Sequence, residues 1–236
     1  MRKNIFLTLF SALALMLMVS CGSDSESDST PNGSNNGNSS GVKANMHNGH
    51  EYVDLALPSG LKWATCNVGA TSPELSGTYF AWGEAHFKAY FSSDTYKWSI
   101  DGSDSNFSKY TPIDDKTTLD AADDAAAVNW GGNWRMPTSR EFQELLSNCQ
   151  REWTTVNGLS GCKFTSSQNG KSIFLPACGY REGADLNDLG DYGYYRSASF
   201  YLIGNSVPSL YLNPGNTDVI YQIYRYCGES VRAVCP

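Results

Sequence analysis

The chain has 236 residues, of which 41% are hydrophobic and 13% aromatic, enough apolar side chain to bury one substantial core. Its formal charge is −7, and loss of a leader carrying Arg2 and Lys3 would make it more negative, which argues against a nucleic-acid partner held through phosphates. Charged residues are only 17% while Tyr, Asn, Ser and Gly are plentiful, a composition closer to an extracellular recognition surface than to a cytosolic enzyme.

Arg2 and Lys3 precede an apolar run from Ile5 to Val19 that ends in Met18-Val19-Ser20-Cys21. A basic start, a short apolar run and small residues before a cysteine predict a lipoprotein signal over residues 1–20, cut before Cys21. Met18 stands where Leu is usual. The run is short for the ~20 residues of a spanning helix, and several acyl chains on Cys21 would hold the protein to the outer membrane. Residues 22–48 are Gly, Ser, Asn and Asp with almost no large apolar side chain, so they predict a tether reaching about 29 Å.

A single folded domain is then expected over 49–236. Tyr52 to Ala56 and Leu61 to Val68 read as strands of a hairpin turning at Pro58-Ser59-Gly60. Tyr79 to Trp82 reads as a short aromatic strand, 92–118 as a long surface loop, and Asp120 to Val128 as a short helix opened by Asp120. Trp130 and Trp134 bracket Gly131 and Gly132, a turn with room for positive φ wedged against the core by two aromatic anchors. The clearest element follows. Thr138 with Glu141 three residues on is a capping box, and Phe142, Leu145, Leu146 and Cys149 fall on one apolar stripe. Ile173 to Leu175 reads as a buried strand and Gly179 to Gly193 as loop. From Tyr194 onward come strands broken by turns at Gly204-Asn205 and Pro214-Gly215.

Six blocks of sequence occur in a familiar order: EYVDLALPSGLKWATCNVGA (51–70), YFAWGE (79–84), WGGNWRMPTSREFQELL (130–146), NGKSIFLPACGYR (169–181), GYYRSAS (193–199) and YRYCGESVRAV (224–234). Together they resemble the Fibrobacter succinogenes major paralogous domain, found in lipoproteins of gut Bacteroidetes and related in fold to formylglycine-generating enzymes and C-type lectins. The resemblance covers 51–236 and implies an α+β fold: one C-type-lectin-like or formylglycine-generating-enzyme-like domain with short strands, two helices and long loops. In such lipoproteins acidic residues just after the lipidated cysteine, here Asp24, Glu26 and Asp28, resemble a signal for export to the cell exterior. A charged, solvated linker would look the same.

Nucleophilic and acid–base chemistry is poorly supplied. His47, His50 and His86 are the only histidines, and no Ser-His-Asp or Cys-His set can be placed, so the chain is not expected to be an enzyme. Cys66, Cys149, Cys162, Cys178, Cys227 and Cys235 form an even set with 15 possible pairings, some of which could instead be buried thiols. No C-x-x-C pair suggests zinc. Glu182, Asp185, Asn187, Asp188 and Asp191 offer oxygen ligands of the kind calcium takes, but a solvated acidic loop is the simpler reading, and no cofactor is expected.

Function concentrates in Tyr194 to Tyr226, where Leu210, Leu212 and Val219 alternate with Tyr, Asn and Gln. Tyr and Asn give amphipathic contact area and adaptable hydrogen bonds at low entropic cost. The expected ligand face comprises Arg196, Ser197, Phe200, Tyr201 and Asn205, then Tyr211 and Asn213, then Tyr221, Gln222, Tyr224 and Arg225. Its ligand would be a protein or glycan on another surface. Single tyrosines of such a tract also pack on sheets with wet hydroxyls. The resemblance further implies that this is where retroelement-diversified lectin-like domains vary, and here Arg196 replaces a family-like Trp and Cys227 a family-like Tyr. An alternative function is a structural or tip subunit of a surface assembly.

Overall fold

The computed structural model describes residues 45–201, 204–215 and 219–236. The expected signal, Cys21 and the tether as far as residue 44 lie outside the described residues. The described residues form one compact unit.

The first hairpin forms where alternation predicts it. β1 (Met46–His47), β2 (His50–Asp54) and β3 (Lys62–Ala64) are antiparallel, with Val53 opposite Trp63. Met46 and His47 pair with Glu51 and His50, so the folded chain begins inside the stretch expected as tether. β3 ends earlier than expected because the Ala64 and Val68 amides turn to the carbonyls of Ala233 and Val231. Tyr79 to Trp82 makes only a bridge, Phe80 to Glu229, instead of a strand.

The 92–118 segment is irregular apart from two 3-10 turns, Ser93–Thr95 and Pro112–Asp114. It is not a free surface loop: Tyr96 and Tyr110 are buried, their hydroxyls donating to Trp82 O (2.8 Å) and Asp123 Oδ2 (2.7 Å). Asp120 opens a 3-10 turn, Ala121–Asp123, and the helix proper, α1 (Ala125–Trp130), begins later. The cap is Asp124, whose Oδ1 accepts from the Ala126 and Ala127 amides at 2.9 and 3.0 Å, because the Asp120 carboxylate is held by Lys109 and Lys116.

Gly131 and Gly132 do take positive φ, 60° and 56°. Trp134 is buried and donates to His47 O at 2.9 Å, while Trp130 stacks on His50 with ring centroids 3.9 Å apart. α2 (Ser139–Asn148) starts at the capping box: Thr138 Oγ1 accepts from Glu141 N (3.2 Å) and Thr138 N donates to Glu141 Oε2 (2.7 Å). Arg135 forks onto the same carboxylate at 2.8 and 2.5 Å. Phe142 and Leu145 are fully buried, contributing about 2–3 kcal/mol each by removal from water.

Cys149 turns extended and begins β4 (Cys149–Val156), which pairs with β5 (Leu159–Ser166) and that with β6 (Ser172–Pro176). Asn157 and Gly158 make the two-residue turn with φ of 49° and 82°. The stretch expected as loop holds a small hairpin, β7 (Tyr180–Glu182) with β8 (Asp185–Asn187). β9 (Gly193–Arg196), β10 (Ser206–Leu212) and β11 (Val219–Tyr224) form an antiparallel sheet with β10 in the middle. β12 (Val234–Cys235) returns to pair with β3.

The result is a mixed α+β domain, largely small sheets with two α-helices and long loops among the described residues. Trp63, Phe142, Phe164, Leu175, Tyr195 and Leu210 join the sheets and α2 in the main core. Cys66, Cys149, Cys178, Cys227 and Cys235 are free thiols, and these cysteines, Cys66 apart, are buried, as is Cys162.

Candidate recognition groove

β10 explains why the C-terminal tract divides in two. Leu210 and Leu212 point into the core, as their alternation predicts, and Tyr211 between them stands on the other face. Register puts Tyr211 opposite Tyr194 of β9 and Val219 of β11, and Ser209 opposite Tyr221. Their rings meet: Tyr194 and Tyr211 centroids are 5.2 Å apart, Tyr211 and Tyr221 6.0 Å, and Tyr192 stacks on Tyr211 at 5.6 Å. Val219, expected as framework, is exposed at the edge.

Beside this ladder β7 brings in Tyr180, 5.1 Å from Tyr194. A cavity of 370 Å³ opens along edge strand β11, walled by Tyr180, Tyr194, Tyr221 and Tyr224. The Glu182 carboxylate, Gln222 and Ser206 supply its polar groups, and Cys227 its end. Tyr221 and Tyr224 are 54% and 40% exposed, so large aromatic surface faces solvent here. Among the described residues, no Lys or Arg side chain lines the cavity.

Two tyrosine hydroxyls fix the acidic groups of the site. Tyr194 donates to Asp188 Oδ2 at 2.9 Å and Tyr226 to Glu182 Oε1 at 3.3 Å, with Tyr226 stacked on Tyr224 at 5.1 Å. Burial, reinforced by these carboxylates, pushes the Tyr194 and Tyr226 phenols well above their ordinary value. Burial also pushes the Cys227 thiol up to about 12, so it stays protonated and unreactive. Of the five acidic or amide residues expected to offer calcium ligands, Glu182 and Asp188 are thus engaged by tyrosines. Among the described residues, no three His, Cys, Asp or Glu side chains converge as a metal site.

The comparisons give no family to lean on. No family model, curated protein or solved structure matches the chain.

Of the expected ligand face, Tyr221, Gln222 and Tyr224 line the groove, and Tyr211 supports them from the ladder. Five others are corrected, because they are buried and spend their polar atoms internally. Arg196 is fully buried with Nε 3.3 Å from Glu229 Oε2, and its Nη2 donates to the carbonyls of Tyr224 (2.8 Å) and Cys227 (2.5 Å). It lies under the groove and fixes its far end. Ser197 Oγ donates to Pro208 O at 2.5 Å, and Phe200 packs with Trp82, Tyr110 and Val207. Asn213 accepts from the Gly215 amide at 2.8 Å in the turn after β10. Arg225 lies against the Phe107 and Phe200 rings at 4.1 and 4.6 Å and donates to Tyr110 O and Gly204 O.

Two more of the expected residues lie away from the groove. Tyr201 is exposed but its hydroxyl lies 3.1 Å from Ser139 Oγ at the start of α2. Asn205 is half-buried, with Nδ2 3.5 Å from Asp104. Sequence reasoning missed Tyr180 and Tyr194 as groove walls and Glu182 as its charge. The alternation of Tyr180, Arg181 and Glu182 before Gly183 was the available signal for a hairpin there.

Proposed function

We propose that this chain is a ligand-binding module whose recognition surface is the tyrosine groove along β11. The observation that carries the reading is the open 370 Å³ cavity walled by four tyrosines, two of them with large exposed faces. Solvent-exposed aromatic area of this kind is unfavourable to leave wet and is the usual anchor of a binding contact. Tyr side chains also lose little entropy when a ligand orders them.

The setting belongs to the same proposal: a C-type-lectin-like or formylglycine-generating-enzyme-like domain of the Fibrobacter succinogenes major paralogous kind, lipidated at Cys21 and displayed on the outer membrane. Diversification by a retroelement would then act on the exposed positions Tyr221, Gln222 and Tyr224, and adenine-rich codons there with a nearby template repeat would mark it. The test is a screen of the full chain, in a neutral polyoxyethylene detergent, against glycan and surface-protein arrays beside the Tyr221→Ala/Tyr224→Ala variant. Signals lost in the variant are expected. Signals equal in both would place binding elsewhere, and silence from both would favour a structural subunit of a surface assembly.

A further inference from the structure

We infer that the groove takes a cation, specifically a basic side chain presented by a partner protein. This rests on the reading of the groove as a binding site and names the chemistry of its ligand. The first argument is charge. Glu182 is the charged residue of the lining, exposed at the rim, and the nearby Asp188 is held by Tyr194. Two cations near the groove have partners of their own. Arg196 beneath the floor faces Glu229 in full burial, and the Arg181 guanidinium lies over the Tyr79 ring at 5.1 Å with Nη1 3.4 Å from Ala184 O. The lining thus carries one carboxylate and, among the described residues, no cation, on a chain of net charge −7.

The second argument is the shape of the walls. Tyr180, Tyr194, Tyr211 and Tyr221 meet at ring distances of 5.1 to 6.0 Å, and Tyr180, Tyr194, Tyr221 and Tyr224 line the one cavity. A ring face carries the negative side of the aromatic quadrupole and attracts a cation placed within about 6 Å. The raised phenol pKa values keep Tyr194 and Tyr226 neutral, with their protons directed at the two carboxylates. Those carboxylates are held in place with lone pairs to spare.

The third argument is a precedent inside the same fold. One residue beyond β11, Arg225 sits between Phe107 and Phe200 with no carboxylate against it among the described residues, so aromatic faces and carbonyls suffice here to hold a guanidinium. The groove repeats that surrounding at the surface and adds a carboxylate, which a flat, delocalised guanidinium or an ammonium would both use.

The full chain, labelled with 13C in its tyrosine rings and held in the neutral detergent, would be titrated with N-acetyl-arginine methylamide and with the isosteric, neutral N-acetyl-citrulline methylamide. Choline and methyl glucoside would be run in parallel at matched ionic strength. The arginine compound is expected to shift the Tyr180, Tyr194, Tyr221 and Tyr224 resonances, leave Tyr195 unmoved, and bind at least tenfold tighter than the citrulline compound. Glu182→Gln should remove most of that difference while leaving citrulline binding as it was. Equal shifts from arginine and citrulline, or shifts from methyl glucoside alone, would overturn the cationic ligand while sparing the groove. Shifts from choline without arginine would overturn the basic side chain of a partner. No shift from any probe would overturn both this inference and the binding groove.

Discussion

Three arginines of this chain lie where a charged residue is ordinarily not found. Arg196, Arg225 and Arg232 are almost fully buried, and among the described residues only Arg196 of the three faces a buried carboxylate. All three donate to backbone carbonyls, several of them in irregular segments. Arg232 reaches Asn67 Oδ1 at 2.8 Å and the Ala64, Thr65 and Pro73 carbonyls at 3.1, 2.7 and 3.5 Å. In a fold with long loops those carbonyls have no ladder partner, and an unpaired buried one is costly. A guanidinium carries five donors in a fixed fork and can serve several at once. Burial lowers the Arg232 pKa. Lysine has neither the fork nor the reach, so Arg232→Lys is expected to cost about 2–3 kcal/mol in urea unfolding. A loss within experimental error would show that water satisfies those carbonyls equally well.

The same residues mark the limit of what the sequence made legible. Arg196 and Arg225 looked like ligand contacts because charge normally means exposure, and nothing adjacent in sequence reveals their partners. Arg225 bonds a carbonyl 115 residues away. Tyr221, Gln222 and Tyr224 are exposed because β11 is an edge strand, whose burial follows no strict alternation.

Among the elements, α2 was readable in full because all its signals are local: cap, reciprocal carboxylate and apolar stripe fall within a dozen residues. Its cap can be tested alone. Thr138→Ala removes the acceptor of the Glu141 amide and should lower the unfolding free energy by about 1 kcal/mol, with an unchanged dependence on denaturant. No change would mean that the Arg135 fork on Glu141 holds the first turn unaided. The β4–β5 hairpin went unread although Asn157-Gly158, a strong two-residue turn signal, lies at its centre. Its strands carry Arg151, Glu152 and Lys163 among short apolar stretches, which hides the period of two. The α1 cap was misassigned for a different reason: Asp120 and Asp124 are both plausible caps, and only the tertiary contacts of Lys109 and Lys116 decide between them.

Over the whole molecule, carboxylates govern the response to acid. For Asp123, burial pushes the carboxyl up, but Lys109, Tyr110 and Lys97 outweigh it and hold it below its ordinary value. Glu141 behaves alike, burial being outweighed by Arg135 and Thr138, and Asp120 is lowered to about 2 by Lys109 and Lys116. A depressed folded-state pKa means that the unfolded chain takes up the proton first. The stability from these groups is complete above about pH 5 and is lost as pH falls through about 4 toward 2. Asp124 and Glu229, raised by burial, act in the opposite sense and soften the slope. Asp123→Asn should reduce stability at pH 7 and flatten the fall below pH 4; a parallel, undiminished fall would assign the acid limb to other groups.

The groove is also a property of the whole molecule, assembled from β7, β9, β10 and β11. The most direct test of its role is a tyrosine nitration footprint of the full chain, read by mass spectrometry, with and without whichever arrayed ligand binds. Tyr221, Tyr224 and Tyr201 are exposed and should react first, whereas Tyr110 and Tyr195 are buried and should be spared. Adding the ligand should protect Tyr221 and Tyr224 while Tyr201, hydrogen-bonded near α2, reacts as before. Unchanged reactivity of Tyr221 and Tyr224 at saturating ligand would contradict the account.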